Sequence, residues 1–311
     1  MKQTKINNGT LWVGDSAEVL KQYPDNHFDS IVTDPPYGIE FLGKNWDKNT
    51  GAIEVWRECL RVLKPGGYLL AFGAPRTYHR LATNLEDIGF EIKDSLMWVF
   101  GSGFPKAQDI GKQMDKKLGV KNEWSGWKTG LKPAHEPIIM CRKPTKLTSM
   151  NNILEWGVGA LNIDATRVEE DRYPSNVIGE IDGYQKYFYC PKVNRKERHW
   201  GLDMENAPRP GNTNKRKDDV AWMVGNPNAT NSGEFVPRVD ANTHPTVKPI
   251  DLMLYLVKMV TPPNGKVLDP FNGSGSTGMA VKQFGGEYTG IDLDENYVEI
   301  SRKRINAWKE D

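Results

Sequence analysis

Short apolar runs alternate with amphipathic stretches along the first 141 residues. Leu11-Trp12-Val13 reads as a short strand, with Asp15 at its carboxyl end before a helix that starts at Ser16 or Ala17. Asp29 to Thr33 is the next strand. Val55, Leu60 and Leu63 recur at helical spacing, and Lys64-Pro65-Gly66-Gly67 ends that helix. The pattern then predicts a strand over Tyr68 to Phe72 and a helix over Tyr78 to Ile88 closed by Gly89. Further strands follow over Ile92 to Phe100 and Glu136 to Cys141. Between about residues 142 and 240 the periodicity fades, and Pro, Gly, Asn and basic residues accumulate. After Gly265 a strand, a glycine-rich turn, a helix and a strand follow in short succession.

Strands alternating with helices predict an α/β protein with a doubly wound, mostly parallel, Rossmann-like sheet and ligands at the strand carboxyl ends. Asp15, Asp34, Asp269 and Asp292 all fall at such ends. One site assembled from distant segments has this signature. The middle stretch fits an irregular recognition insert, so the chain divides into 1–141, 142–240 and 241–311.

Two motifs carry the candidate chemistry. Asp34-Pro35-Pro36-Tyr37 closes the second strand; a bare strand-ending turn is the alternative reading, since Pro-Pro punctuates chains. Val267 to Gly278 runs from a strand into a glycine-rich turn that holds Asp269-Pro270-Phe271-Asn272-Gly273-Ser274-Gly275, and Met279 to Phe284 reads as the start of a helix. Glycines there let the backbone approach a nucleotide-like ligand closely. Asp292 follows 17 residues after Gly275 at the end of the next strand, near the spacing at which an acid reaches ribose hydroxyls. The turn lacks the Gly-x-x-x-x-Gly-Lys-Ser/Thr pattern, so ATP hydrolysis is not supported.

Together these motifs resemble the permuted "beta" group of DNA amino-methyltransferases, in which Asp-Pro-Pro-Tyr precedes the S-adenosylmethionine motif and the DNA-reading region lies between. Several further blocks resemble the family in the same order: Gly14-Asp15-Ser16, Arg61 to Gly67, Ala134 to Ile138, Gly159 to Asp164, Tyr173 to Ile178 and His244 to Pro249. The resemblance implies that 1–141 is the catalytic half of a methyltransferase domain, 142–240 a target-recognition insert, and 241–311 the half that binds S-adenosylmethionine. It assigns catalysis to Asp34, Pro35, Pro36 and Tyr37. The Asp34 carboxylate and the Pro35 carbonyl would accept hydrogen bonds from the exocyclic amine of a flipped-out base, on which Tyr37 would stack. Cofactor contacts would come from Asp15, Lys248, Asp269, Phe271, Asn272, Gly273, Ser274, Gly275 and Asp292. Of these, Asp15 has a rival reading as a helix cap, Phe271 as core and Lys248 as a solvated surface lysine. Lys192, Arg195 and Arg198, in a basic, aromatic-rich part of the insert, are the preferred DNA contacts; ordinary basic surface is the alternative.

Aspartate at the first motif position favours adenine N6 over cytosine N4 as the acceptor. Protein glutamine methyltransferases, which use Asn-Pro-Pro-Tyr after the cofactor motif, fit neither the residue nor the order. A catalytically inactive DNA-binding regulator on the same fold is the alternative from another class; intact motifs argue against it. The chemistry asks for no metal. Double-stranded DNA is the implied partner, with a cognate restriction endonuclease and monomer or homodimer left open.

Composition changes this picture little. The chain has 311 residues, 38% hydrophobic and 26% charged, which is ordinary for a globular protein. Its formal net charge of +1 does not announce nucleic acid, so a DNA face must come from local clustering. No run of 18 apolar residues exists. Met1-Lys2-Gln3-Thr4-Lys5 opens no signal peptide. Cys59, Cys141 and Cys190 lack paired spacing and read as reduced thiols of a cytoplasmic protein of bacterial, archaeal or phage origin.

Overall fold

The computed structural model describes residues 1–40, 47–100, 107–119, 123–168, 172–179, 193, 195–202, 242–244 and 246–308. Its strands are β1 (Lys2–Ile6), β2 (Gly9–Val13), β3 (Phe28–Thr33), β4 (Leu63–Phe72), β5 (Glu91–Val99), β6 (His135–Arg142), β7 (Val177–Gly179), β8 (Lys266–Asp269) and β9 (Glu287–Asp292). They form one sheet in the order β1-β2-β9-β8-β3-β4-β6-β5-β7. β2, β9, β8, β3 and β4 are mutually parallel, and β5 and β7 point the same way. Only β1 and β6 run against them.

The doubly wound expectation holds, and the alternation of side chains along the strands explains it. Ile31, Leu69, Ala71 and Leu268 face one core, packed under α1 (Ser16–Leu20), α2 (Ile53–Val62) and α3 (Tyr78–Ile88). Val32, Leu70, Phe72 and Val267 face the other, under α7 (Ile250–Val260), α8 (Ser276–Phe284) and α9 (Glu295–Ala307). Three further helices lie between these groups in the chain: α4 (Ile110–Leu118), α5 (Ser149–Trp156) and α6 (Arg195–Arg198). Cys59 and Cys141 are buried free thiols in the first core.

Strand connections reverse between β8 and β3: the chain winds outward one way from β3 to β4 and the other way from β8 to β9. Ligands of open α/β sheets sit at such a switch point.

Three details differ from the sequence pattern. β1 was not anticipated; it pairs antiparallel with β2 across a two-residue turn at Asn7-Asn8. Lys64 to Gly67 ends α2 but belongs to β4 itself, with a register shift between Phe28 and Ser30 absorbing the irregularity. Gly66 sits there at φ 78°, and an added Cβ would lie 2.2 Å from the Asn152 amide. The middle region also contributes β7 to the sheet, paired with β5. Its stretches Lys215 to Asp219 and Asn226 to Gly233, which read in the sequence as surface loops, lie outside the described residues. Among the described residues no helix is long and apolar enough to cross a membrane.

Candidate active site

β2, β9, β8 and β3 are consecutive neighbours in the sheet, so Asp15, Asp292, Asp269 and Asp34 stand in a row along one edge. Neighbouring strands lie about 4.8 Å apart. The sequence supplied the four carboxylates; parallel pairing places them side by side.

The glycine turn is built from beneath. Asn272 Oδ1 accepts hydrogen bonds from the Tyr288 hydroxyl and the Ser301 hydroxyl, both at 3.0 Å, and its amide nitrogen donates to the Gly273 carbonyl at 2.9 Å. Arg304, fully buried, donates to the Ser274 carbonyl at 2.6 Å and hydroxyl at 3.0 Å. Asn272 and Ser274 thus hold the turn through their side chains. Gly273 and Gly275 adopt φ of 51° and 82°. Gly273 lines a narrow cleft with Asp34, Lys248, Asp269, Phe271 and Ser276, while the side of Gly275 that a Cβ would occupy faces Ser301 beneath the turn.

Both acids at the turn are partly committed. Asp292 accepts from the Gly273 amide at 2.8 Å and the Asp294 amide at 2.9 Å. Asp269 accepts from the Thr33 hydroxyl at 2.7 Å and the Phe271 amide at 3.1 Å. Burial pushes each carboxyl up to about 6 despite these donors. Asp15 is exposed and caps α1 through the Glu18 amide at 3.2 Å, so its capping role is realised. The neighbouring Gly14 amide donates to the Asp292 carbonyl, which keeps the two strand ends together. Phe271 is half-buried, with its ring 5.4 Å from that of Trp56 while also lining the cleft.

Asp34 belongs to a four-residue cluster. The Tyr37 hydroxyl lies 2.9 Å from Asp34 Oδ1 and 2.9 Å from Glu136 Oε2. Lys248 Nζ lies 2.5 Å from Asp34 Oδ2, 3.1 Å from the Tyr37 hydroxyl and 3.4 Å from Glu136 Oε2. Lys248 is only 6% exposed, which removes the surface-lysine reading. Its ammonium sits 4.8 Å from the Phe72 ring centroid and 5.4 Å from that of Tyr37. Burial opposes its charge, but Asp34 and Glu136 outweigh burial and hold its pKa above the usual lysine value. Burial also raises the Asp34 carboxyl, against the pull of Lys248, and drives the Tyr37 hydroxyl well up.

The loop after Asp34 is fastened by a residue that the motif does not contain. Asp47, 1% exposed, accepts from the backbone amides of Tyr37 at 2.6 Å, Gly38 at 3.0 Å and Ile39 at 3.3 Å. The Thr77 hydroxyl donates to the Tyr37 carbonyl at 2.6 Å. Asp47→Ala therefore strands three partly buried amides, at a cost of roughly 1–3 kcal/mol for a lost partner. A lowered melting temperature, together with a turnover loss larger than the loss of cofactor affinity, is the expected result of paired melting and kinetic measurements.

Among the expected DNA contacts, Lys192 lies outside the described residues and Arg195 opens α6. Arg198 is half-buried and donates to the His244 carbonyl, tying α6 to the turn that leads into Lys248. His244 stacks edge-on against Tyr297 at 4.6 Å and contacts the Thr246 carbonyl through Nδ1, so it orders that turn. Burial pulls its pKa down to about 4, which leaves it neutral at pH 7.

Sequence reasoning missed Glu136 and Asp47 as members of the site. It also missed the excursion between β5 and β6, which leaves and rejoins the sheet at the site edge. Residues 101–134 hold seven lysines against three acids, although the whole chain is nearly neutral. Exposed Trp124 and Trp127 stack there at 5.1 Å. Lysine density beside paired tryptophans was the available signal.

The residues present fit a sulfonium nucleotide cofactor. Two glycines keep the turn open, an acid ends β9, and the Ser276 hydroxyl at the start of α8 is buried with no hydrogen-bond partner, the mark of a group that awaits a ligand atom. Fold and site define an S-adenosylmethionine-dependent methyltransferase. The model of the DNA methylase family, which covers the N6 and N4 amino-methyltransferases, matches residues 28–303, and the chain belongs to that family. It is 24% identical to the type II methyltransferase M.HindIII of Haemophilus influenzae over 96% of both chains. It is 27% identical to the DNA adenine methyltransferase YhdJ of Escherichia coli, over 96% of this chain and 83% of that one. Among solved structures, the cytosine-N4-specific PvuII DNA methyltransferase superposes with a TM-score of 0.60 at 16% identity, over 96% of this chain and 87% of that one. An M1.HpyAVI–SAM complex superposes with a TM-score of 0.52 at 20% identity, over 95% and 98%.

Proposed function

We propose that this DNA methyltransferase transfers its methyl group to the exocyclic N6 of an adenine flipped out of duplex DNA. The observation that carries the reading is the aspartate at the end of β3, its two oxygens held by Tyr37 and Lys248 beside a cleft shared with the glycine turn. Similarity to an adenine methyltransferase over most of both chains supports the same base.

An exocyclic amine is a poor nucleophile because its lone pair is delocalised into the ring. Hydrogen bonds from the amine to the Asp34 carboxylate and the Pro35 carbonyl favour a more tetrahedral nitrogen and stabilise the positive charge that develops there. S-adenosylmethionine, when bound, supplies a methyl already activated on a sulfonium. Asp292 holds the ribose hydroxyls, Asp15 the adenine edge, and Phe271 the adenine face. Gly273, Gly275 and Ser276 receive the methionine portion beside Asp269. The Tyr37 ring stacks on the flipped base and offsets part of the lost stacking.

Cofactor affinity then depends on pH with a definite sign. Asp269 and Asp292 act as anions, and both carboxyls are raised to about 6. Affinity is level above that pH and falls below it as protons compete, by up to about tenfold per pH unit for each acid. Calorimetric titration with S-adenosylmethionine from pH 5 to 8 checks this; a flat profile would remove both acids from the binding set.

For DNA, the exposed lysines of the excursion are added to Lys192, Arg195 and Arg198 as candidate phosphate contacts. Lys116 and Lys117, in the last turn of α4, are its best-placed cations. Replacing both with alanine should weaken DNA binding and reduce the slope of log affinity against log salt by about 2, as measured by fluorescence anisotropy.

The base assignment is tested by incubating the protein with tritiated S-adenosylmethionine and unmethylated bacterial DNA, followed by nucleoside analysis. Label in N6-methyladenosine is expected. Label in N4-methylcytosine overturns the base and keeps the fold and cofactor.

A further inference from the structure

We propose that Glu136 is a positioning residue of the transfer site, holding the Tyr37 hydroxyl and giving the Lys248 ammonium a second seat so that Asp34 is released to the incoming amine. The inference rests on the methyl-transfer reading of this site.

Topology explains why the residue is there. β6 runs against its neighbours, so its amino-terminal end lies at the edge where the parallel strands have their carboxyl ends. Phe72 pairs with Ile138, which carries Glu136 past the end of β4 to the level of Asp34 and Tyr37.

Charge explains why the site needs it. Lys248 lies 2.5 Å from Asp34, and this pair is neutral by itself. A neutral pair is poorly suited to an amine that becomes positive as the methyl arrives. Glu136, 3.4 Å from the same ammonium, makes the cluster net negative. When the amine takes up Asp34, the ammonium has to give up little more than one contact, because its second anion is already within ion-pair distance. Preorganised charge of this kind acts on the transition state without moving at the moment of reaction.

Hydrogen bonding fixes the ring. The Tyr37 hydroxyl has one proton and lies 2.9 Å from both carboxylates, while Lys248 donates to its oxygen. These contacts grip the ring from its far end, and Asp47 and Thr77 hold its backbone. A stacking platform gripped at both ends keeps the base and its amine in line.

The groups facing Asp34 are Lys248, Glu136 and Tyr37, with Asp269 acting from across the cleft. Of these, Glu136 raises the Asp34 carboxyl, so removing its charge lowers the pH at which Asp34 loses its proton.

The test uses the full chain and the variants Glu136→Gln and Glu136→Ala. Single-turnover transfer of tritiated methyl to duplex DNA should slow by about 100-fold in Glu136→Gln, the scale of an ångström-sized misplacement, with S-adenosylmethionine affinity unchanged. The acid limb of its pH–rate profile should move to lower pH, which a merely loosened fold would not produce. Should Glu136→Ala fail to fold, the isosteric glutamine variant still decides. Carbon-13 NMR titration of labelled aspartate carboxyls, with Asp34→Asn assigning the signal, reads the same shift without any turnover. A wild-type rate in Glu136→Gln with an unmoved Asp34 titration overturns the proposal. Absence of any methyl transfer by the wild-type protein would instead sink the catalytic reading, and the NMR arm would still judge the Glu136–Asp34 coupling.

Discussion

Asp34→Ala should reduce methyl transfer by about 10³-fold, the upper range for removing one charge-stabilising partner, while leaving S-adenosylmethionine affinity within a few-fold. The separation follows from the geometry. Asp34 touches the cleft from β3 and is paired with Lys248, Tyr37 and Glu136, whereas the glycine turn is held by Asn272, Arg304 and Asp292. No hydrogen bond joins Asp34 directly to the turn among those of the described residues. Loss of Asp34 also leaves Lys248 with Glu136 as its remaining anion, so the ammonium stays paired and local structure survives. Rapid-quench transfer assays beside calorimetric cofactor titration check both halves. A collapse of cofactor binding would mean that the catalytic and cofactor residues form one inseparable unit.

Gly275→Ala should act in the opposite sense, destroying cofactor affinity first. At φ 82° any side chain is strained, and the added Cβ would lie 2.3 Å from the Ser301 hydroxyl oxygen. That oxygen is one of the two donors that fix Asn272, so the clash propagates into the turn. The left-handed conformation alone costs about 1–2 kcal/mol for a residue with Cβ. Because Gly275 also precedes the first turn of α8, the displacement moves the amides and the Ser276 hydroxyl that face the cleft. Affinity for S-adenosylmethionine should fall by roughly 100-fold, the equivalent of about 2.7 kcal/mol, with a smaller loss of melting temperature. Unchanged affinity would show that the cofactor does not approach the turn.

Much of the fold was legible because it is written in local pattern. β3, α3, β5 and the strand–turn–helix around Gly273 follow from short apolar runs, glycine stops and period; the strand ends and α3 fall within a residue of the predicted ones, while α8 begins at Ser276, three residues before the expected Met279. The four strand-end aspartates were legible for the same reason, since each ends its own strand, whereas their order in a row comes from strand pairing. β1 was not: Lys2 to Ile6 is mostly polar and becomes a strand only by pairing with β2 at the sheet edge. Lys64 to Gly67 looked like a turn because proline and glycine punctuate it, yet Leu63 and Tyr68 on either side pair with β3 and Gly66 and Gly67 bond Lys143 beside β6, so the strand continues across it with Gly66 left-handed.

The chemistry divides along the same line. Carboxylates at strand ends, the Asp-Pro-Pro-Tyr motif and the paired glycines are contiguous features, and residue type and spacing are enough to single them out. Lys248 drew two competing readings because nothing near it in the chain says whether it is wet or dry; 214 residues separate it from its ion-pair partner Asp34. Glu136 reaches the cluster only because β6 runs against its neighbours, and Asp47 acts through backbone amides eight to ten residues earlier. Charge balance in a buried site depends on which distant groups are brought within a few ångströms and stripped of water. Local sequence cannot encode that distance, whereas strand order sets it directly.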